Sequence, residues 1–189
     1  MANFKHILIW GERHAGKSTL IRRLTDEMDC PFYGYITKRV DLADENGYYP
    51  IYMHPAEDYL NPEYADRIRY EETNCIGHCG SQSRQINLHV FNENGVKYIR
   101  SAKPGGVLIM DELGFMESGA DLFRSAVLEA LDGDIPVICG VKEKPPCEFT
   151  DEILAHQGCK VWHVTVENRD ELFEEIRAYI KANCKAARL

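Results

Sequence analysis

The chain has no stretch of 18 or more consecutive apolar residues, so nothing in it reads as a helix that crosses a bilayer. Its opening "MANFKH" lacks the apolar core of a secretory signal, and a cytoplasmic location is expected. Internal repeats, low-complexity tracts and Pro/Gly/Ser-rich linkers are absent as well, which argues against a repeat array or tethered modules. A single domain over residues 1–189 is expected. Positive charge is short: 22 Lys and Arg against 30 Asp and Glu give a net charge of −8. That balance opposes non-specific binding to nucleic acid or to an anionic membrane. Any affinity for phosphate must be local. Paired CxxC half-sites are missing too, although seven cysteines are present. An odd number in a chain long enough to bury its own core points to thiols in a reducing compartment rather than to a disulfide framework.

What is present is a repeating order of strand and helix. Near-continuous apolar runs at "HILIW" (6–10), "GVLIMDE" (106–112), "IPVICGV" (135–141) and "KVWHVTV" (160–166) predict strands buried on both faces of a parallel sheet. Helical spacing follows three of them. Leu20, Ile21, Leu24 and Met28 form the first stripe. Leu122, Phe123, Ala126, Val127, Ala130 and Leu131 form the second, with Ser118 as the expected N-cap and Gly133 as the stop. Leu172, Phe173, Ile176, Tyr179 and Ile180 form the third, after a capping-box-like Asn168 and Glu171. Between residues 32 and 100 the pattern changes, and an insert over roughly residues 41–104 is expected. The short runs "FYGYITKRV", "GYYPIYM", "QINLHVF" and "GVKYI", with the turn clusters "DENG" and "NENG", predict antiparallel hairpins inserted beside the mouth of the parallel sheet.

The stretch "GERHAGKST" between the first strand and the first helix completes GxxxxGK[ST] at Gly11, Gly16, Lys17 and Ser18. Glycine permits the sharp exit from the strand and the tight wrap of the loop. Successive backbone N–H groups from Glu12, Arg13, His14 and Ala15 can then point at an anion, and the helix dipole adds to their pull. In this Walker A reading Lys17 reaches the β- and γ-phosphates, Ser18 ligates Mg²⁺ and Thr19 touches the α-phosphate. Four apolar residues, Val107 to Met110, run straight into Asp111 and Glu112, which reads as a Walker B. At the C-terminal end of a parallel strand Asp111 would meet the magnesium, and Glu112 could take a proton from attacking water. The alternative is an acidic pair that merely ends a strand.

In order along the chain, "GERHAGKSTLIRRL", "GYITKRV", "VLIMDELGFMES" followed by "LFRSAVLEAL", and "VTVENRDEL" resemble the small P-loop nucleoside-triphosphatase family first described from thermophiles. The match covers roughly residues 5–40 and 105–180, and its DELGxME and ENRD elements are more specific than a Walker A alone. The resemblance implies a RecA-like sheet flanked by helices and slow, Mg²⁺-dependent hydrolysis of ATP, GTP and other nucleoside triphosphates. It also makes Arg169 of "ENRD" the best candidate for the positive charge on the transferring phosphoryl group, although its place at a helix start also fits an ordinary surface charge; Arg13 in the loop and Lys142, which reads as a solvated charge beyond its strand, are weaker candidates. The chain departs from the family at Phe115, where Lys is usual, at His14, where many members have Gly, and through residues 41–104.

Two questions stay open at this level. "CIGHC" crowds Cys75, His78 and Cys79 into five residues. These can supply three zinc ligands, with His54, His89 or Cys30 as a fourth, or they can be ordinary thiols in a loop. Functionally, a triphosphatase with water as acceptor competes with two alternatives. One is a small-molecule or nucleotide kinase that uses the inserted hairpins as a lid; the other is a non-catalytic nucleotide-binding adaptor. No arginine-dense lid run and no "NKxD"-like guanine motif occurs, so the preferred base is not indicated.

Overall fold

The computed structural model describes residues 6–45, 47–80 and 84–187. Strands β1 (His6–Gly11), β2 (Phe32–Arg39), β3 (Tyr49–Pro55), β4 (Cys75–Cys79), β5 (Arg84–Ile86), β6 (Val107–Leu113), β7 (Val137–Lys142) and β8 (Cys159–His163) form one sheet. Their order is β5-β4-β3-β2-β6-β7-β1-β8. Strands β2, β6, β7, β1 and β8 run parallel, and β3, β4 and β5 extend the sheet antiparallel from β2. The sheet is therefore mostly parallel and flanked by helices, as expected. The helices are α1 (Lys17–Asp26), α2 (Ala56–Leu60), α3 (Leu88–Val90), α4 (Val96–Arg100), α5 (Asp121–Leu131), α6 (Glu148–Leu154) and α7 (Arg169–Asn183).

Alternate residues of each central strand serve opposite faces. Ile7 and Ile9 of β1 and Ile109 of β6 pack with Leu20, Ile21 and Leu24 of α1 and with Phe173, Ile176 and Ile180 of α7. Leu8 of β1 and Leu108 and Met110 of β6 pack instead with Phe123 and Val127 of α5 and with Phe149 and Ile153 of α6. Both faces being covered, no position along these strands can be polar until the strand ends, and that is why the apolar runs are continuous. Each such side chain is worth about 1.5–3 kcal/mol of burial. The two helical layers thus clamp the sheet and fix the strand ends that carry the charged residues.

Several expectations are corrected. "FYGYITKRV" is not only a hairpin arm, because Phe32 to Ile36 pair in parallel with Val107 to Asp111 while the later residues pair antiparallel with β3. Gly34, at φ +89, makes this possible: a Cβ there would fall 2.0 Å from the Ile109 carbonyl oxygen. "NLHVF" and "GVKYI" are helical rather than extended, and "NENG" is a π-helical segment, Phe91–Gly95, joining α3 to α4. Burial decides this, since Phe91, Gly95 and Ile99 recur every four residues on one face, and Gly95 lies against the Phe123 ring. Within "DENG", the Gly47 amide donates to the Asp44 carbonyl; Asn46 lies outside the described residues.

The expected caps also differ. Ser118 does not cap α5; its hydroxyl donates to the Phe115 carbonyl, and Asn92 Oδ1 accepts from the Phe123 amide in the first turn. Asn168 stands at the N-cap of α7 without a side-chain cap bond. Its side chain instead holds the Thr165 amide and the His163 carbonyl, which ends β8 at His163 and leaves "VTV" as a connection.

Candidate functional site

The loop between β1 and α1 turns through two left-handed residues, His14 at φ 66 and Gly16 at φ 107. Glycine adopts this geometry freely, whereas an L side chain such as His14 is strained in it by roughly 1 kcal/mol. Gly16 is the N-cap of α1, so the amides of the first turn open onto the loop. Lys17 is only 4% exposed. Its Nζ donates to the Gly11 and Glu12 carbonyls at 2.9 and 2.8 Å, which brings the ammonium back across the loop that precedes it.

The sheet order carries the acidic pair to the same place. Strand β7 lies between β1 and β6, and Asp111 sits opposite Gly140 of β7. A Cβ at Gly140 would come within 2.9 Å of Asp111 Oδ1, so the bare glycine lets the carboxylate reach over β7 toward α1. There Ser18 Oγ donates to Asp111 Oδ1 at 3.1 Å. Pairing to β7 becomes irregular between Asp111 and Leu113, and Glu112 bridges two lysines. Lys17 Nζ lies 3.4 Å from Oε2 and Lys142 Nζ lies 2.6 Å from Oε1. Burial, and then the charge of Glu112, push the Asp111 carboxyl up to about 7 against the pull of Ser18, Lys17 and Lys142. A carboxylate in that position is short of positive charge.

Arg169, the first residue of α7, crosses the loop from the other side. Its Cδ lies 3.2 Å from where a Cβ on Gly16 would stand. Around these groups opens a cleft of about 640 Å³, lined by Arg13, His14, Gly16, Lys17, Ser18 and Thr19 from the loop and α1, Asp111 and Glu112 from β6, and Arg169. Arg22 and Arg23 of α1, Thr37, Lys38 and Arg39 of β2, Asp41, and Tyr59 of α2 also line it, with Ile21, Ile36 and Leu60 beneath. Seven cations thus face one cleft in a chain of net charge −8. Of the loop residues expected at the site, Gly11, Glu12 and Ala15 do not line the cleft. Gly11 packs against Val164, Ala15 is buried, and Glu12 turns outward to pair with Lys144.

The zinc expectation is corrected. Cys75 and Cys79 are four residues apart on the extended strand β4, which separates them by about 13 Å, and His78 between them points to the face opposite Cys79. Zinc needs its sulfur ligands each within about 2.3 Å of one ion. Among the described residues no group of three or more His, Cys, Asp or Glu side chains could hold a metal ion, and that includes any set drawn from Cys30, His54 and His89. Cys75 is buried and its thiol is pushed up by desolvation.

Two residues were underrated in the sequence. Lys142 reads as a solvated charge beyond a strand, yet β7 lies beside β6 and delivers it to Glu112. Glu117 carries no signal of its own in the sequence. It is 3% exposed, accepts from the Gly114 amide, and fastens the turn that follows β6. Gly114 is covered in turn by Lys142, whose Cδ lies 3.1 Å from a Cβ built there.

Burial raises the Glu117 carboxyl to about 7, against an ordinary value of 4.5. The folded chain therefore holds a proton that the unfolded chain releases between those two values. Stability is fully present below about pH 4.5 and falls as pH rises toward 7, by on the order of 3 kcal/mol. Asp111, also raised to about 7, adds a fall of its own over the same range, so Glu117→Gln is expected to remove about half of the measured slope. Urea midpoints from pH 4 to 8 measure it, and an unchanged slope would show that Glu117 titrates normally.

No helix among the described residues is long and apolar enough to cross a membrane. The family model described as NTPase matches residues 6–177. The chain is 26% identical to the nucleoside-triphosphatase THEP1 of Natranaerobius thermophilus, over 93% of this chain and 96% of that one. It is 25% identical to the cancer-related nucleoside-triphosphatase of Homo sapiens, over 96% and 99%. Among solved structures, the fold is similar to the crystal structure of THEP1 from the hyperthermophile Aquifex aeolicus, with TM-score 0.64, 21% identity and coverage of 90% and 96%. It is also similar to the solution structure of a human cancer-related nucleoside triphosphatase, with TM-score 0.67, 20% identity and coverage of 96% and 100%.

Proposed function

The chain belongs to the NTPase family, and on that premise we propose that nucleoside triphosphate is hydrolysed in the 640 Å³ cleft with Lys17, Glu112 and Arg169 in the principal roles. The observation that carries this assignment is the Lys17–Glu112–Lys142 chain at 3.4 and 2.6 Å. It sets a carboxylate beside the ammonium that would hold the β- and γ-phosphates.

The loop amides and the start of α1 receive the phosphates. A phosphate oxygen competes with Glu112 for Lys17, and the displaced carboxylate turns to the water beyond the γ-phosphate. Lys142 keeps hold of its other oxygen. Glu112 then positions that water and takes its proton as the bond to the β,γ-bridging oxygen breaks. Arg169, lying over Gly16, places its guanidinium against the charge that develops on the phosphates.

Ser18 and Asp111 fit a magnesium ion. Both are oxygen donors, they lie 3.1 Å apart, and the Asp111 carboxyl is held up to about 7 by burial and by the Glu112 charge. Two protein oxygens suffice, because magnesium takes the rest of its shell from phosphates and water. When bound, Mg²⁺ neutralises charge on the β- and γ-phosphates. ATP, GTP and other nucleoside triphosphates are the proposed substrates, in a cytoplasmic setting without nucleic acid or membrane as partner. Release of inorganic phosphate from ATP, GTP, CTP and UTP with Mg²⁺ and no added acceptor tests the reading. Nucleotide binding without phosphate release would leave the kinase and adaptor roles.

A further inference from the structure

Glu112 faces two spaces. On one side is the nucleotide cleft. On the other is a smaller cavity of about 180 Å³ whose walls include Arg13, Thr37, Arg39, Lys142 and Lys144. Arg13, Thr37, Arg39 and Glu112 line both, so the two spaces meet at Glu112. With Glu112 as the base, this cavity is the space beside it that a nucleophile can occupy. This placement rests on the function proposed above.

A hydrolase needs room there for one water, which takes roughly 10–15 Å³. The cavity is an order of magnitude larger. Its charge is one-sided, with four cations against the single carboxylate of Glu112. Two of those cations hold their carboxylates at the surface. Arg39 pairs with Asp41, whose side chain is 77% exposed, and Lys144 pairs with Glu12, which is 58% exposed. Exposed pairs of this kind contribute little to stability, so an incoming anion can displace the carboxylates at little cost. Arg13 has no carboxylate within ion-pair distance among the described residues.

We propose that this cavity is a second oxyanion subsite, which takes a phosphate group beside the γ-phosphate of the bound nucleotide. The same chemistry suits two sources. One is inorganic phosphate, held as it leaves. The other is the phosphate of a small phosphorylated alcohol whose hydroxyl faces the γ-phosphorus. In the second case the alcohol oxygen bonds to Pγ and the bond to the β,γ-bridging oxygen breaks. The electron pair stays on the diphosphate, and Glu112 takes the hydroxyl proton.

The test is a calorimetric titration of inorganic phosphate into the full chain saturated with Mg²⁺ and a non-hydrolysable triphosphate analogue, which fills the γ position. One phosphate is expected to bind. In the Lys144→Gln variant, whose side chain lines this cavity and not the nucleotide cleft, its Kd should rise about tenfold while the analogue's Kd stays within about twofold. Absence of phosphate binding to the analogue complex, or equal binding in the variant, overturns the subsite. Failure of the analogue itself to bind would instead overturn the nucleotide reading. With γ-labelled triphosphate and glycerol phosphate, label in the organic bisphosphate product identifies an acceptor. Label confined to inorganic phosphate identifies the outgoing product.

Discussion

Lys17→Ala is expected to raise the Kd for a Mg-bound nucleoside triphosphate by about 10²–10³ while leaving affinity for the nucleoside almost unchanged. Two charge-assisted hydrogen bonds to phosphate are lost, each worth about 1.5–3 kcal/mol. The structure adds a second cost. Lys17 ties the Gly11 and Glu12 carbonyls together at 2.9 and 2.8 Å, so its removal also loosens the loop whose amides receive the anion. The fold should survive, because Lys17 belongs to the loop face of α1 and the helix is anchored by Leu20, Ile21 and Leu24. Calorimetric titration with a non-hydrolysable analogue measures the effect. Unchanged triphosphate affinity would show that the loop does not hold the phosphates.

The second large effect is expected at Glu112. Glu112→Gln keeps size and a hydrogen-bonding oxygen but abolishes the base, a service typically worth ~10²–10⁴-fold. Phosphate release should fall by roughly two orders of magnitude or more. Affinity should behave differently, because Glu112 is itself a partner of Lys17 at 3.4 Å. Neutralising it frees the ammonium for phosphate, so Mg-bound triphosphate should bind as tightly as to the parent or a few-fold more tightly. Single-turnover phosphate release alongside a binding titration separates the two terms. Parental turnover in the variant would assign the proton transfer elsewhere.

The parts of this site that could be read in the sequence are those whose chemistry is local. The phosphate loop is a spacing of glycine, lysine and serine between an apolar run and an amphipathic stripe. The Asp111–Glu112 pair ends a strand whose burial on both faces forbids polar residues earlier. What stayed hidden depends on neighbours in space. The place of β7 between β1 and β6 is a property of sheet order, to which periodicity is blind, and it alone carries Lys142 to Glu112. Glu117 is concealed for another reason: a carboxylate at such a position usually faces water, and only the fold of the Gly114 turn buries it.

In the middle of the chain helical and extended patterns overlap. Val90, Phe91 and Ile99 fit a strand reading by residue type, but they pack on α5 as a helix because Gly95 allows close approach to Phe123. "CIGHC" failed as a metal site for a simple geometric reason. An extended strand separates residues that a tight turn would have gathered.

The central claim is that water, activated at Glu112, breaks the bond between the γ-phosphorus and the bridging oxygen. Turnover of Mg-bound triphosphate by the purified chain in ¹⁸O-labelled water, with products resolved by mass, tests it most directly. The account predicts that each released phosphate gains one solvent oxygen and that the diphosphate gains none. Solvent oxygen in the diphosphate, or no phosphate until an alcohol acceptor is supplied, would contradict it.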